Sequence, residues 1–197
     1  MRIFFICLFF ITSIFSYDLR SIKNYKPETG DIFFYYDNKY VIDQVLNAYL
    51  RKNVTHAALA LNNQRAVGFS IYFVGSKGFI EYDEIKPDIL DSAKGILILR
   101  PKFYNGYAYM RYRSCIKRNI KIMIEKFKEN KYEFDWFYRP KSKNYRCTTW
   151  VKHIVEQCLP KSYFSNIKKR FPLFEAYNLK KFIIWVKNVK IKKENKK

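Results

Sequence analysis

Glycine and proline are scarce in this chain, six of each in 197 residues, and histidine is scarcer still at two. That excludes collagen-like and low-complexity architectures, which live on glycine and proline. Two histidines, with cysteines at spacings that match no zinc pattern, argue against a metal site, and no cofactor is expected. Carboxylates are also few, 17 against 38 lysines and arginines, for a formal net charge of +21. No apolar run reaches the ~20 residues that a membrane-spanning helix needs. No repeat and no obvious linker marks a second domain.

What is present is apolar and aromatic: 49% hydrophobic and 19% Phe, Tyr and Trp. Such a composition belongs to a folded domain with a substantial core. The first residues read as a targeting segment, with Met1-Arg2 as a positive start, an apolar stretch over 3–15, and Ser16 before a polar sequence. The expectation is a signal peptide over 1–16, an exported protein, and one mature domain over 17–197. Cys7 lies inside the apolar stretch, so a lipid-modified N-terminal cysteine is not indicated.

The positive charge has two readings. It creates a field that attracts an anionic polymer or an anionic membrane face. It also accompanies abundant Lys, Asn, Ile, Phe and Tyr, the bias that an AT-rich genome imposes on any surface. No zinc-finger spacing, RRM-like motif or helix-turn-helix pattern accompanies the charge, so no specific nucleic-acid role is expected.

Removal of the leader leaves Cys115, Cys147 and Cys158, an odd number with at least one free thiol. If Cys147 and Cys158 share a helix, eleven residues at ~1.5 Å each hold them ~16 Å apart, too far for a disulfide. Cys115 with Cys158 is then the pair to expect, if a bridge forms.

Hydrophobic periodicity predicts strands over 31–36, 55–61, 66–74, 78–82 and 96–100, with a hairpin turn at 75–77, where Gly75 permits positive backbone angles. Helical spacing appears over 41–50, 111–129 and 148–159, the last ended by Pro160. The C-terminus, about 175–192, reads as a basic amphipathic helix carrying Phe182, Ile183, Val186 and Val189. The fold class expected from these elements is α+β, an antiparallel sheet with helices packed on it.

The chemistry centres on Cys147. A cysteine in the first turn of a helix meets unpaired backbone N–H groups and the positive end of the helix dipole, which stabilise a thiolate. Arg146 beside it adds to that effect if its side chain points the same way. The bland alternative is a small buried residue at a helix start. His153 is six residues further along the same helix, on another side, and reads as a surface residue. His56, in an apolar strand, is the histidine that tertiary folding could bring to Cys147; otherwise it is a hydrogen-bonded core residue.

Four segments in order, Gly30-Asp31-Ile32-Phe33-Phe34, Thr55-His56-Ala57-Ala58-Leu59-Ala60-Leu61, Tyr132-Glu133-Phe134-Asp135 and Tyr145-Arg146-Cys147-Thr148-Thr149-Trp150-Val151, resemble the permuted papain-like amidases of the YaeF/YiiX type, a circularly permuted branch of the NlpC superfamily. The resemblance spans about 27–159. It implies a circularly permuted papain-like fold with a barrel-like sheet and a catalytic cysteine at a helix N-terminus. It also implies a thiol hydrolase, an amidase, peptidase or acyl-ester hydrolase, in which His56 deprotonates Cys147. The thiolate attacks an amide or ester carbonyl, backbone N–H groups at the helix start hold the oxyanion, and water resolves the acyl-enzyme.

The family usually adds a polar residue, often Glu, from the strand after the histidine strand, and no carboxylate occurs over 66–74. Ser70 or Tyr72, or Glu81 or Asp83 on the next strand, are the candidates to orient His56; solvated strand charges are the plain reading of the last two. Two function classes stay open. One is an exported thiol hydrolase acting on a peptide, cell-wall fragment or lipid. The other is a catalytically inactive basic module holding an anionic envelope or membrane surface through Lys180, Lys181, Lys187 and Lys190 on the C-terminal helix.

Overall fold

The computed structural model describes residues 18–36, 56–70, 79–85, 95–128, 146–165 and 176–188. The leader, the helix read over 41–50, the turn at 75–77, Tyr72, the 132–135 motif and Lys190 lie outside the described residues.

The described residues form seven strands, most of them on apolar runs: β1 (Asp18–Ser21), β2 (Ile32–Tyr35), β3 (His56–Ala60), β4 (Arg65–Ser70), β5 (Phe79–Glu84), β6 (Ile96–Pro101) and β7 (Phe182–Lys187). They make one sheet in the order β1-β7-β6-β2-β3-β4-β5. Among the described residues two helices join it, α1 (Gly106–Lys128) and α2 (Cys147–Glu156). The α+β class holds. The sheet is an open mixed one, with β1 parallel to β7 and the other described pairs antiparallel, where an antiparallel, barrel-like sheet was expected.

The C-terminal helix expected over 175–192 is not what the described part of that segment, 176–188, forms. Leu179–Lys181 is one 3-10 turn and Phe182–Lys187 is strand β7, seated between β1 and β6. The run Phe-Ile-Ile-Trp-Val is short and continuously apolar, a pattern in which periodicity does not separate a buried strand from a helix. Pairing with β6, Ile98 opposite Trp185 and Leu99 opposite Ile184, decides it. β1 falls in a segment read as polar lead, because three of its four residues are exposed and the alternation signal is missing.

Both faces of the central strands β2, β3 and β6 are buried, which is why these read as near-continuous apolar runs. On one face Ile32, Phe34, Ala57, Leu59, Val67, Phe69, Leu97 and Leu99 pack with Tyr112, Ile116 and Ile120 of α1 and Trp150, Val151, Ile154 and Val155 of α2. On the other, Phe33, Ala58, Ala60, Ala66, Ile96, Ile98 and Trp185 form a second cluster with Ile22, Tyr25 and Ile85. The β3–β4 turn is closed by the Asn62 side chain, whose Oδ1 accepts from the backbone N–H groups of Gln64 and Arg65, each at 2.8 Å.

The Gly30-Asp31 pair opens β2 and has a structural explanation. Gly30 has φ +89°, and a Cβ there would lie 2.5 Å from Tyr112 Cε1. The Tyr112 hydroxyl donates to the Gly30 carbonyl at 2.7 Å. Asp31 is fully buried and accepts from Arg100 Nε and Nη2, both at 2.7 Å, from the Tyr25 hydroxyl at 2.7 Å and from the Glu28 N–H at 2.9 Å. Burial pushes the Asp31 carboxyl above its ordinary value, and these donors pull it back. Burial acts to lower Arg100, but Asp31 and Glu28 outweigh it and hold the guanidinium above its ordinary value. Arg100 also bonds Glu28 Oε1 and lies 4.8 Å from the centre of the Trp185 ring. A buried carboxylate needs such a full set of donors.

Candidate functional site: Cys147 on helix α2

Cys147 is the first residue of α2, as its position before an apolar helical stripe implies. Arg146 caps the helix with extended backbone (φ −109°, ψ 168°) and is buried. The Thr149 hydroxyl accepts the Arg146 backbone N–H at 2.8 Å, and the Trp150 N–H reaches the Arg146 carbonyl at 2.8 Å, which fixes the first turn. Cys147 is half-buried and is the free cysteine among the described residues. The others are joined: Cys115 of α1 and Cys158, just past α2, form a disulfide with Cα atoms 5.7 Å apart. The pairing expected from helix spacing is thus the one formed.

α2 lies on β3 and β4. Its buried residues Trp150, Val151, Ile154 and Val155 pack with Ala57, Leu59, Val67 and Phe69, and Cys147 rests against the same cluster. The helix is therefore laid across the strand that begins with His56.

His56 itself goes the other way. Side chains alternate along a strand, so His56 shares its face with Ala58 and Ala60, which belong to the cluster away from α2. Two contacts agree. The imidazole stacks on Tyr35, a residue packed on that second cluster, with centroids 5.9 Å apart and planes at 29°. It also sits over Gly68, where a Cβ would be 2.7 Å from Nε2 and 2.9 Å from Cε1. The strand places His56 and Cys147 on opposite sides of the sheet.

The candidates for orienting the imidazole fall as follows. Ala58 pairs with Gly68 and Ala60 with Ala66, and continuing that register sets Ser70 across from His56. Glu81 occupies the register position opposite Gly68, and Asp83 that opposite Ala66. Gly68 was not singled out from the sequence, although a glycine inside a strand pattern is a signal of close approach by another group. His153, expected on the surface, is half-buried, with Nε2 2.8 Å from Gln157 Nε2. Burial lowers its pKa.

Among the described residues no group of three or more His, Cys, Asp or Glu could hold a metal ion, and no helix is long and apolar enough to cross a membrane. No family model matches the chain, and no curated protein matches it.

Proposed function

We propose that this chain is a thiol hydrolase built on a permuted papain-like scaffold, with Cys147 as nucleophile and His56 as base. The observation that carries the reading is the placement of α2: the helix opens on the free thiol and lies on β3, the strand that opens on His56. Helix start, half-exposure and freedom from the disulfide are what a nucleophilic thiol needs. His56 takes the thiol proton, the thiolate adds to an amide or ester carbonyl, and backbone N–H groups of the first turn of α2 receive the oxyanion. Collapse releases the amine or alcohol with the proton from His56, and water then frees the acid from the acyl-enzyme. The reading makes one demand on the scaffold: His56, the first residue of β3, must turn its ring past the end of the strand toward α2.

Peptides, cell-wall fragments and lipids all present such carbonyls. Export after removal of residues 1–16 is part of the proposal, and the Cys115–Cys158 disulfide supports it, because such bonds persist in oxidising compartments.

The placement of His56 and Cys147 on opposite faces favours a second reading, a papain-like scaffold that has lost its dyad and serves to bind an anionic surface. Alkylation of Cys147 by iodoacetamide as a function of pH separates the two. With Cys115 and Cys158 bonded to each other, the label reports Cys147. A thiol that reacts fast at neutral pH, and slows when His56→Ala is introduced, supports the hydrolase. A thiol of ordinary reactivity, indifferent to His56, sinks it and leaves the binding scaffold.

A further inference from the structure

Helix α1 carries an outer face that the fold does not use. Its inner face is anchored by Tyr112, Ile116, Ile120 and Met123 in the core. At 100° per residue, Tyr107, Met110, Arg111, Lys117, Arg118, Lys121 and Ile122 all project within roughly 80° of one direction on the opposite side. All seven are exposed. Glu125 is the carboxylate on that stripe, near its C-terminal end. Among the described residues Arg111, Lys117, Arg118 and Lys121 take part in no ion pair.

The apolar members stand out. Tyr107 and Met110 are 66% and 60% exposed, and Tyr104, in the turn just before the helix, is 97% exposed. Ile122 adds a further exposed branched side chain at 39%. Arg111 lies 5.9 Å from the centre of the Tyr107 ring, so charge and aromatic surface are presented together. Exposed large apolar side chains flanked by unpaired cations mark a surface that meets something apolar and negatively charged.

We infer that the outer face of α1 docks on an anionic lipid bilayer. Tyr104, Tyr107 and Met110 enter the headgroup region, where amphipathic rings are favoured, and Arg111, Lys117, Arg118 and Lys121 meet the lipid phosphates. A nucleic acid would also answer the cations, but it would give Met110 and Ile122 nothing to bury against; the bilayer accounts for both halves of the face. This gives the binding-scaffold reading a surface. It also replaces the contact expected at Lys180, Lys181 and Lys187, since the described part of that segment is a 3-10 turn and sheet strand. The docking does not depend on Cys147 being reactive.

The test is co-sedimentation of the disulfide-bonded protein, as it exists after any leader removal, with phosphatidylcholine vesicles with and without phosphatidylserine. The protein should bind the anionic vesicles and not the neutral ones. Replacing Arg111, Lys117, Arg118 and Lys121 by Gln should weaken binding by at least about a hundredfold, at roughly fivefold per cation near an anionic surface. Tyr107→Ser with Met110→Ser should weaken binding while leaving its dependence on salt unchanged. Because these side chains are outside the core, the helical circular-dichroism signal and melting curve serve as folding controls. Unchanged binding by the four-Gln protein overturns the inference. So does binding to duplex DNA or RNA, lost in the same variant, without binding to vesicles. Cys147 labelling is read separately, so failure of the hydrolase and failure of the docking face are distinguishable.

Discussion

Gly68 leaves the space that His56 fills. A side chain at 68 would begin 2.7 Å from Nε2 and 3.2 Å from the Ala57 carbonyl oxygen, so the imidazole stays over β4 only because the residue beneath it has no Cβ. Gly68→Ala is therefore expected to displace the ring and to destabilise the fold by about 1–3 kcal/mol, the usual cost of overpacking a buried site. Urea denaturation measures the loss. A variant as stable as the parent, with an unmoved His56 NMR resonance, would contradict the contact.

Asp31 and Arg100 tie the start of β2 to β6. Replacing Asp31 by Asn keeps the shape and removes the charge facing the guanidinium, which is largely buried at 13% side-chain exposure. Breaking a buried pair from one side costs about 3–5 kcal/mol. Asp31→Asn should thus lower the denaturation midpoint far more than Asp18→Asn, whose pairs with Arg20 and Lys102 lie at the surface and are worth little. Equal effects at the two sites would refute the ranking.

The disulfide spans 43 residues of sequence and joins α1 to the end of α2. Closing a loop of that length removes unfolded-state entropy worth about 4 kcal/mol. Cys115→Ser with Cys158→Ser should therefore lose stability of that order, while alkylation of Cys147 in the still-folded protein proceeds unchanged. The comparison needs only thermal melts and mass-spectrometric counting of labels.

His153 gives a pH signature. Burial holds its folded-state pKa below the ordinary value of 6.5. The unfolded chain then takes up a proton before the folded one does, so stability falls as pH drops from about 6.5 toward the folded value and levels off below it. Because the ring is only half-buried the effect is small. His153→Gln should flatten that part of the melting temperature against pH; a slope unchanged by the substitution would assign it to other groups.

Much of this was legible in the residues. The cores of β2, β3 and β6 follow from short apolar runs, and α1 and α2 from the 3.6-residue repeat of Ile116, Ile120 and Met123 and of Trp150, Val151 and Ile154. Cys147 at a helix start follows from position, and spacing points to Cys115 with Cys158 as the pair if a bridge forms; that it forms is seen only in the structure. β7 was misread as a helix because so short an apolar run carries no period, and β1 was missed because an exposed edge strand shows no alternation.

By itself, then, the order of residues determined most of the local elements, an unpaired thiol and the excess of positive charge, because periodicity, helix starts and composition are local properties. Tertiary structure alone decided which face of β3 receives His56, that Gly68 is its seat, that Asp31 answers Arg100, and that the cations of α1 are left facing outward. Those are matters of strand register and helix docking, contacts between separate elements of the fold, and no local pattern of residues specifies them.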